Sequence, residues 1–138
     1  MKKMSMSMVS LLIFGCGTGY AMEEGPERCP SASVVKVVSP QMAIEDRDNG
    51  KNSYSAFVVD GYGTGFKWNL VISGIKAESS KEALDKATDA LSTLSGNPPP
   101  FQLGDFWFCY YAIGKGYKAV AFEPGFLDAT KAVKIARR

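Results

Sequence analysis

Two cysteines far apart in the chain limit its folding more than any other feature. Cys29 lies in the segment GPERCPSAS and Cys109 in the run FWFCYY. A third, Cys16, belongs to an N-terminal stretch with the layout of a secretory leader. Lys2 and Lys3 come first, then a short apolar run at 9–14, then small residues with Gly19 and Ala21 at cleavage spacing. Residues 1–21 are read as this signal peptide, and residues 22–138 as one small domain. A second processing site competes with it. Ile13-Phe14-Gly15-Cys16 has the form of a bacterial lipobox, which predicts a lipid anchor at Cys16. Either route takes Cys16 out of the pairing and leaves Cys29 and Cys109 as an even pair in an oxidising compartment. Their disulfide is expected to close a loop of roughly 80 residues and to tie a loose N-terminal segment to an aromatic strand.

The run at 9–14 is far too short to cross a bilayer, and no later segment reaches the ~20 apolar residues a spanning helix needs. The mature chain is therefore expected outside the cytosol: in the periplasm, at the cell surface or secreted. Loss of Lys2 and Lys3 brings the 16 basic residues level with the 14 acidic ones. A neutral domain lacks the charge that phosphate neutralisation requires, so no nucleic-acid partner is expected. The charge is unevenly placed all the same. Glu23, Glu24 and Glu27 crowd the start, whereas Lys115, Lys118, Lys131, Lys134, Arg137 and Arg138 load the end.

Hydrophobic periodicity gives the order of elements. The β-branched run at 34–38, closed by Pro40, predicts an edge strand, and the polar stretch 41–52 a surface loop. Asp46, Asp48, Asn49 and Gly50 do not keep calcium-loop spacing: counted from Asp46, the glycine is fifth instead of sixth, and Phe57 stands where the bidentate Glu belongs. Residues 53–60 and the alternating run from Phe66 form a hairpin across the glycine-rich turn 61–65. Ser79 with Glu82 is a capping box that opens a helix running to about Leu94, with an apolar stripe of Ala83, Ala87, Leu91 and Leu94. Asn97-Pro98-Pro99-Pro100 is a stiff connector. A second hairpin follows, turning at Gly114-Lys115-Gly116, and then a short helix from Leu127 capped by Asp128. This order predicts an α+β domain: an antiparallel sheet of about five strands, made of two hairpins and an edge strand, with the long helix on one face and a short C-terminal helix.

In the run FWFCYY, Phe106, Phe108 and Tyr110 point one way, and Trp107, Cys109 and Tyr111 the other. Both faces are aromatic, so both need a cover: the helix on one side, and the tethered N-terminal segment, a partner chain or a ligand on the second.

With His 0, there is no His-based triad, zinc site or general base. Serine occurs without a G-x-S-x-G elbow, and no carboxylate pair has the setting of glycoside chemistry. The chain reads as a binding protein, not an enzyme.

The C-P-S-A-S start, the hairpin YSAFVVDGYGTGFKWNLVISGI and the run FWFCYYAIGKGYKAV, together with the leader, resemble a family of small exported bacterial proteins that includes a haemin-binding member. The resemblance implies haem binding at the bacterial surface or in the periplasm, with haemin as the ligand. Without histidine, the iron would fall to a tyrosinate, methionine or thiolate. Tyr110 or Tyr111 is the candidate iron ligand, with Met42 and Met22 as more distant ones. Tyr110, Tyr111, Tyr117 and Trp107 would supply aromatic surface. Lys115 and Lys118 would favour a tyrosinate and pair with the propionates. The competing expectation is a protein-interaction module or inhibitor of the bacterial envelope, meeting a partner through a strand edge without a small ligand.

Overall fold

The computed structural model describes residues 25–125 and 128–137. The leader read at 1–21, the Cys16 lipid site, Met22, Leu127 and Arg138 lie outside them. The fold is α+β, built on a 6-stranded antiparallel sheet. Its strands are β1 (Met42–Glu45), β2 (Ser53–Asp60), β3 (Trp68–Lys76), β4 (Phe101–Leu103), β5 (Phe106–Tyr111) and β6 (Lys118–Glu123). They lie in the order β1-β2-β3-β6-β5-β4. Among the described residues, three α-helices accompany them, α1 (Ala32–Val35), α2 (Ser80–Leu91) and α3 (Ala129–Ala136), with a short 3-10 turn at Arg47–Asn49.

Both sheet faces are covered, as the two-sided aromatic run demands. On one face, α2 lays Ala83, Ala87 and Leu91 over Ala56, Val58, Leu70 and Ile72. The capping box forms: the Ser79 Oγ accepts from the Glu82 N–H at 3.1 Å, and the Glu82 carboxylate accepts from the Glu78 N–H at 2.9 Å. That N–H, with Lys86 beside it, holds the Glu82 carboxyl below its ordinary range. The helix ends at Leu91 instead of about Leu94, yet Leu94 stays buried in the same core. On the other face, α3 packs across β2 and β3, with Ala132 and Val133 over Phe57 and Val71. The Asp128 side chain caps it, accepting from the Lys131 N–H at 2.9 Å.

The expected disulfide is present. Cys29 and Cys109 are bonded, with 5.8 Å between their Cα atoms. The tethered segment does not lie opposite the long helix as expected: it packs beside α2 on the face of Trp107, Cys109 and Tyr111, and α3 takes the face of Phe108. Tyr111 donates its hydroxyl proton to the Pro30 carbonyl, and the Trp107 indole lies where a Cβ on Gly25 would stand. Only a glycine permits that approach.

Three local expectations are corrected. The run at 34–38 is not an edge strand, because its chain folds into α1, with Val35 fully buried and Val34 and Val37 exposed. The tether at Cys29 places this segment over a sheet face, where no strand edge is free to pair. Tertiary position thus overrides β-propensity. The edge strand is β1 instead, inside the stretch read as a polar loop, pairing Met42–Glu45 with Tyr54–Phe57. At the opposite edge, β4 pairs with β5 just after the proline connector, which raises the strand count from about five to six.

Candidate functional site

The site begins with an irregularity in β3. Tyr54 of β2 faces Ile75 and Ala56 faces Ile72, so Ser73 and Gly74 together oppose the single residue Ser55. This is a β-bulge, and Gly74 takes the left-handed conformation at φ +84° that one arm of it requires. The bulge bends the sheet on its α3 face just past the end of α3. A groove of about 640 Å³ opens there, floored by Ser73, Tyr110 and Val120 and walled by Ser53, Lys118 and Arg137.

Register explains the chemistry of the walls. Ser53 lies directly opposite Lys76, and Ser73 directly opposite Lys118. All four residues line the groove, so one Ser–Lys pair sits at the bulge through Ser73 and the other lies just beyond it. Ser53 is fully buried, and its hydroxyl has no hydrogen-bond partner among the described residues. Among the described residues, Lys76 and Lys118 have no carboxylate partner, and no Asp or Glu lines the groove. Arg137 is committed elsewhere: its two Nη atoms donate to Asp46 at 2.8 Å and Asp48 at 2.7 Å. Asp46, buried in the turn after β1, also accepts from Asn49 at 3.1 Å and Ser55 at 3.3 Å. This cluster fixes the α3 end of the groove.

The floor continues into an apolar strip. Tyr110 stacks on Phe108, with ring centroids 6.0 Å apart and planes 15° from parallel. On the same sheet face, β4 presents Phe101 (53 % exposed) and Leu103 (40 %) beyond the reach of α3, next to Tyr110 (48 %). The groove is thus cationic at the bulge and apolar along its flank.

Of the residues expected from the sequence, Tyr110, Tyr111, Tyr117 and Lys118 all line this groove. Lys115 sits in the hairpin turn at φ +67°, and Trp107 packs on the opposite face against Gly25; neither lines it. Tyr111 reaches the groove from the α2 face, but its hydroxyl is given to Pro30 and burial pushes its pKa up. Both facts oppose a tyrosinate there, which leaves Tyr110 as the accessible phenol. Met42 lies on β1, at the far edge of the sheet from Tyr110. Ser53, Ser73, Lys76 and Arg137 were not legible as site residues, because only the pairing register brings them together.

Tyr62, in the turn between β2 and β3, is a second buried phenol. Burial raises its pKa first, then the nearby Asp60 and Tyr111, and its hydroxyl has no partner among the described residues. A folded pKa raised above the ordinary ~10 stabilises the neutral form, so this stability is intact below about pH 10 and lost as pH climbs further. Alkaline unfolding followed by circular dichroism is expected to begin above pH ~10. Tyr62→Phe is expected to hold the fold to higher pH, at equal or slightly greater stability at pH 7, since it removes an unsatisfied hydroxyl. Earlier unfolding of that variant would contradict this account.

Fold and site together define a small, disulfide-tethered α+β domain with a cationic groove beside an aromatic strip. The chain belongs to the family described as Domain of unknown function (DUF4949), whose model matches residues 28–134. No curated protein and no solved structure matches it. Among the described residues, no helix is long and apolar enough to cross a membrane.

Proposed function

We propose that this is an exported, non-enzymatic binding protein whose groove holds a flat, largely apolar anion, with haemin as the ligand. One observation carries the reading: a groove of about 640 Å³ whose lining includes Tyr110, Lys76 and Lys118 but no carboxylate. That volume lies within the range of small-molecule sites, which pair apolar walls with a few placed polar groups. Tyr110 and the exposed Phe101–Leu103 strip would hold the apolar ring of a haem, and Lys76 and Lys118 would pair with its propionates. The Tyr110 hydroxyl would meet the iron. The disulfide supports export, since such bonds persist in oxidising compartments.

Haemin titrated into the oxidised protein is expected to give a shifted Soret band. Tyr110→Phe is expected to change that spectrum, and Tyr111→Phe to leave it alone. An unchanged spectrum in Tyr110→Phe discards this iron ligand; no band at all discards haemin. A second reading rests on β4, an edge strand with exposed Phe101 and Leu103 and no charged residue, which is open to a partner strand of an envelope protein. A protein that binds no porphyrin but elutes in complex with an envelope component would favour it.

A further inference from the structure

We infer that the two Ser–Lys pairs at the bulge and just beyond it, Ser73 with Lys118 and Ser53 with Lys76, form an oxyanion subsite for the ligand's carboxylate or phosphate group. This rests on the reading of the groove as a ligand site, and it concerns the anionic end of that ligand instead of the iron.

Three observations converge. The Ser53 hydroxyl is completely buried in the groove wall and has no partner among the described residues, although a buried polar group normally has one. The hydroxyl is closed to solvent, so the wall must open around Ser53 for a ligand oxygen to satisfy it. Two lysines without carboxylate partners among the described residues line the same groove, each placed by register across from a serine. The one lining guanidinium is already held by Asp46 and Asp48, so it shapes the wall and leaves the lysines to neutralise the ligand. A hydroxyl donor beside an ammonium suits an oxyanion, because both donate and charge-assisted bonds are the stronger kind. The bulge matters here. In a regular ladder, Ser73 and Ile75 would share a face; the extra residue returns Ile75 to the α2 core while Ser73 stays over the groove.

The test compares protoporphyrin IX with its dimethyl ester, which keeps the flat ring and loses both negative charges. Titrated into the oxidised protein, the acid is expected to bind about tenfold more tightly than the ester. Ser53→Ala and Lys118→Gln are each expected to shrink that ratio severalfold. Lys118 is exposed, so Lys118→Gln keeps the test valid should Ser53→Ala disturb folding. Equal binding of acid and ester overturns the subsite and leaves the groove reading standing. Binding of neither porphyrin overturns the haemin reading, and the subsite is then decided alone by NMR with decanoate and decyl phosphate. Shifts gathered at Ser53, Ser73 and Lys118 that vanish in Lys118→Gln support it, and whichever amphiphile causes them shows whether carboxylate or phosphate is held. No such shifts overturn it.

Discussion

Replacing both Cys29 and Cys109 by serine is expected to destabilise the domain by about 4–5 kcal/mol, the loss the chain-entropy model gives for opening a loop of this length. The two residues are 80 apart, so the bond removes a large ensemble from the unfolded state. Small domains have total stabilities of roughly 5–15 kcal/mol, so the unbridged protein would stand near its unfolding threshold at physiological temperature. The native side suffers as well. The bond holds the segment from Gly25 to Val35 against the face that carries Trp107, Cys109 and Tyr111. Without it, the Tyr111–Pro30 hydrogen bond and the Val35 contacts must carry the cover alone. Urea unfolding of the double-serine variant beside wild type, both with and without reductant, is the measurement. A midpoint shift equivalent to less than about 1 kcal/mol would mean that the segment docks by packing, with the bond adding little. The double variant is the informative one, since a single substitution leaves a free buried thiol behind.

The sequence carried the parts of this fold that are written locally. Ser79 and Glu82 mark the start of α2 because a cap is a short-range hydrogen-bond pattern, and Gly63, Gly65 and Gly116 mark turns because each takes the positive φ that most residues avoid. The aromatic run already implied two covered faces, and the cysteine count implied part of one cover. Elements whose state depends on distant partners were not readable. Val34 and Val35 are strand formers that end up in the last turn of α1, where the tether sets the segment over a sheet face. β1 is a strand because β2 offers it an edge, and its own four residues carry little pattern. The groove divides in the same way. Tyr110 and Lys118 were visible as an aromatic and a cation close in sequence. Ser53, which brings the buried hydroxyl, and Lys76, the second lysine, meet only through the β2–β3 register. A bulge one residue long decides which side chains face the groove, and no periodicity announces it.

Arg137→Met is expected to cost about 3 kcal/mol although Arg137 lies in the last turn of the chain. Its guanidinium faces Asp46, whose side chain is only 3 % exposed, and removing one partner of a buried pair strands the other charge. Asn49 and Ser55 continue to donate to Asp46, which keeps the loss near the lower end of the range for broken buried pairs. The bond from Arg137 to Asp48 contributes little of this. Asp48 is 72 % exposed, so Asp48→Asn is expected to change stability by no more than about 1 kcal/mol. The pair also has a positional role, because it locks the end of α3 to the turn after β1 and so sets one wall of the groove. Hydrogen exchange in Arg137→Met is therefore expected to rise first in the last turn of α3, and porphyrin binding to weaken without any change to the lysines or Tyr110. Adding Asp46→Asn to Arg137→Met separates the causes. If the stranded charge is what destabilises, the double variant recovers much of the stability lost by the single one. If packing of the arginine stem is responsible, the double variant is no more stable than Arg137→Met alone, and the ion pair is not what holds α3 in place.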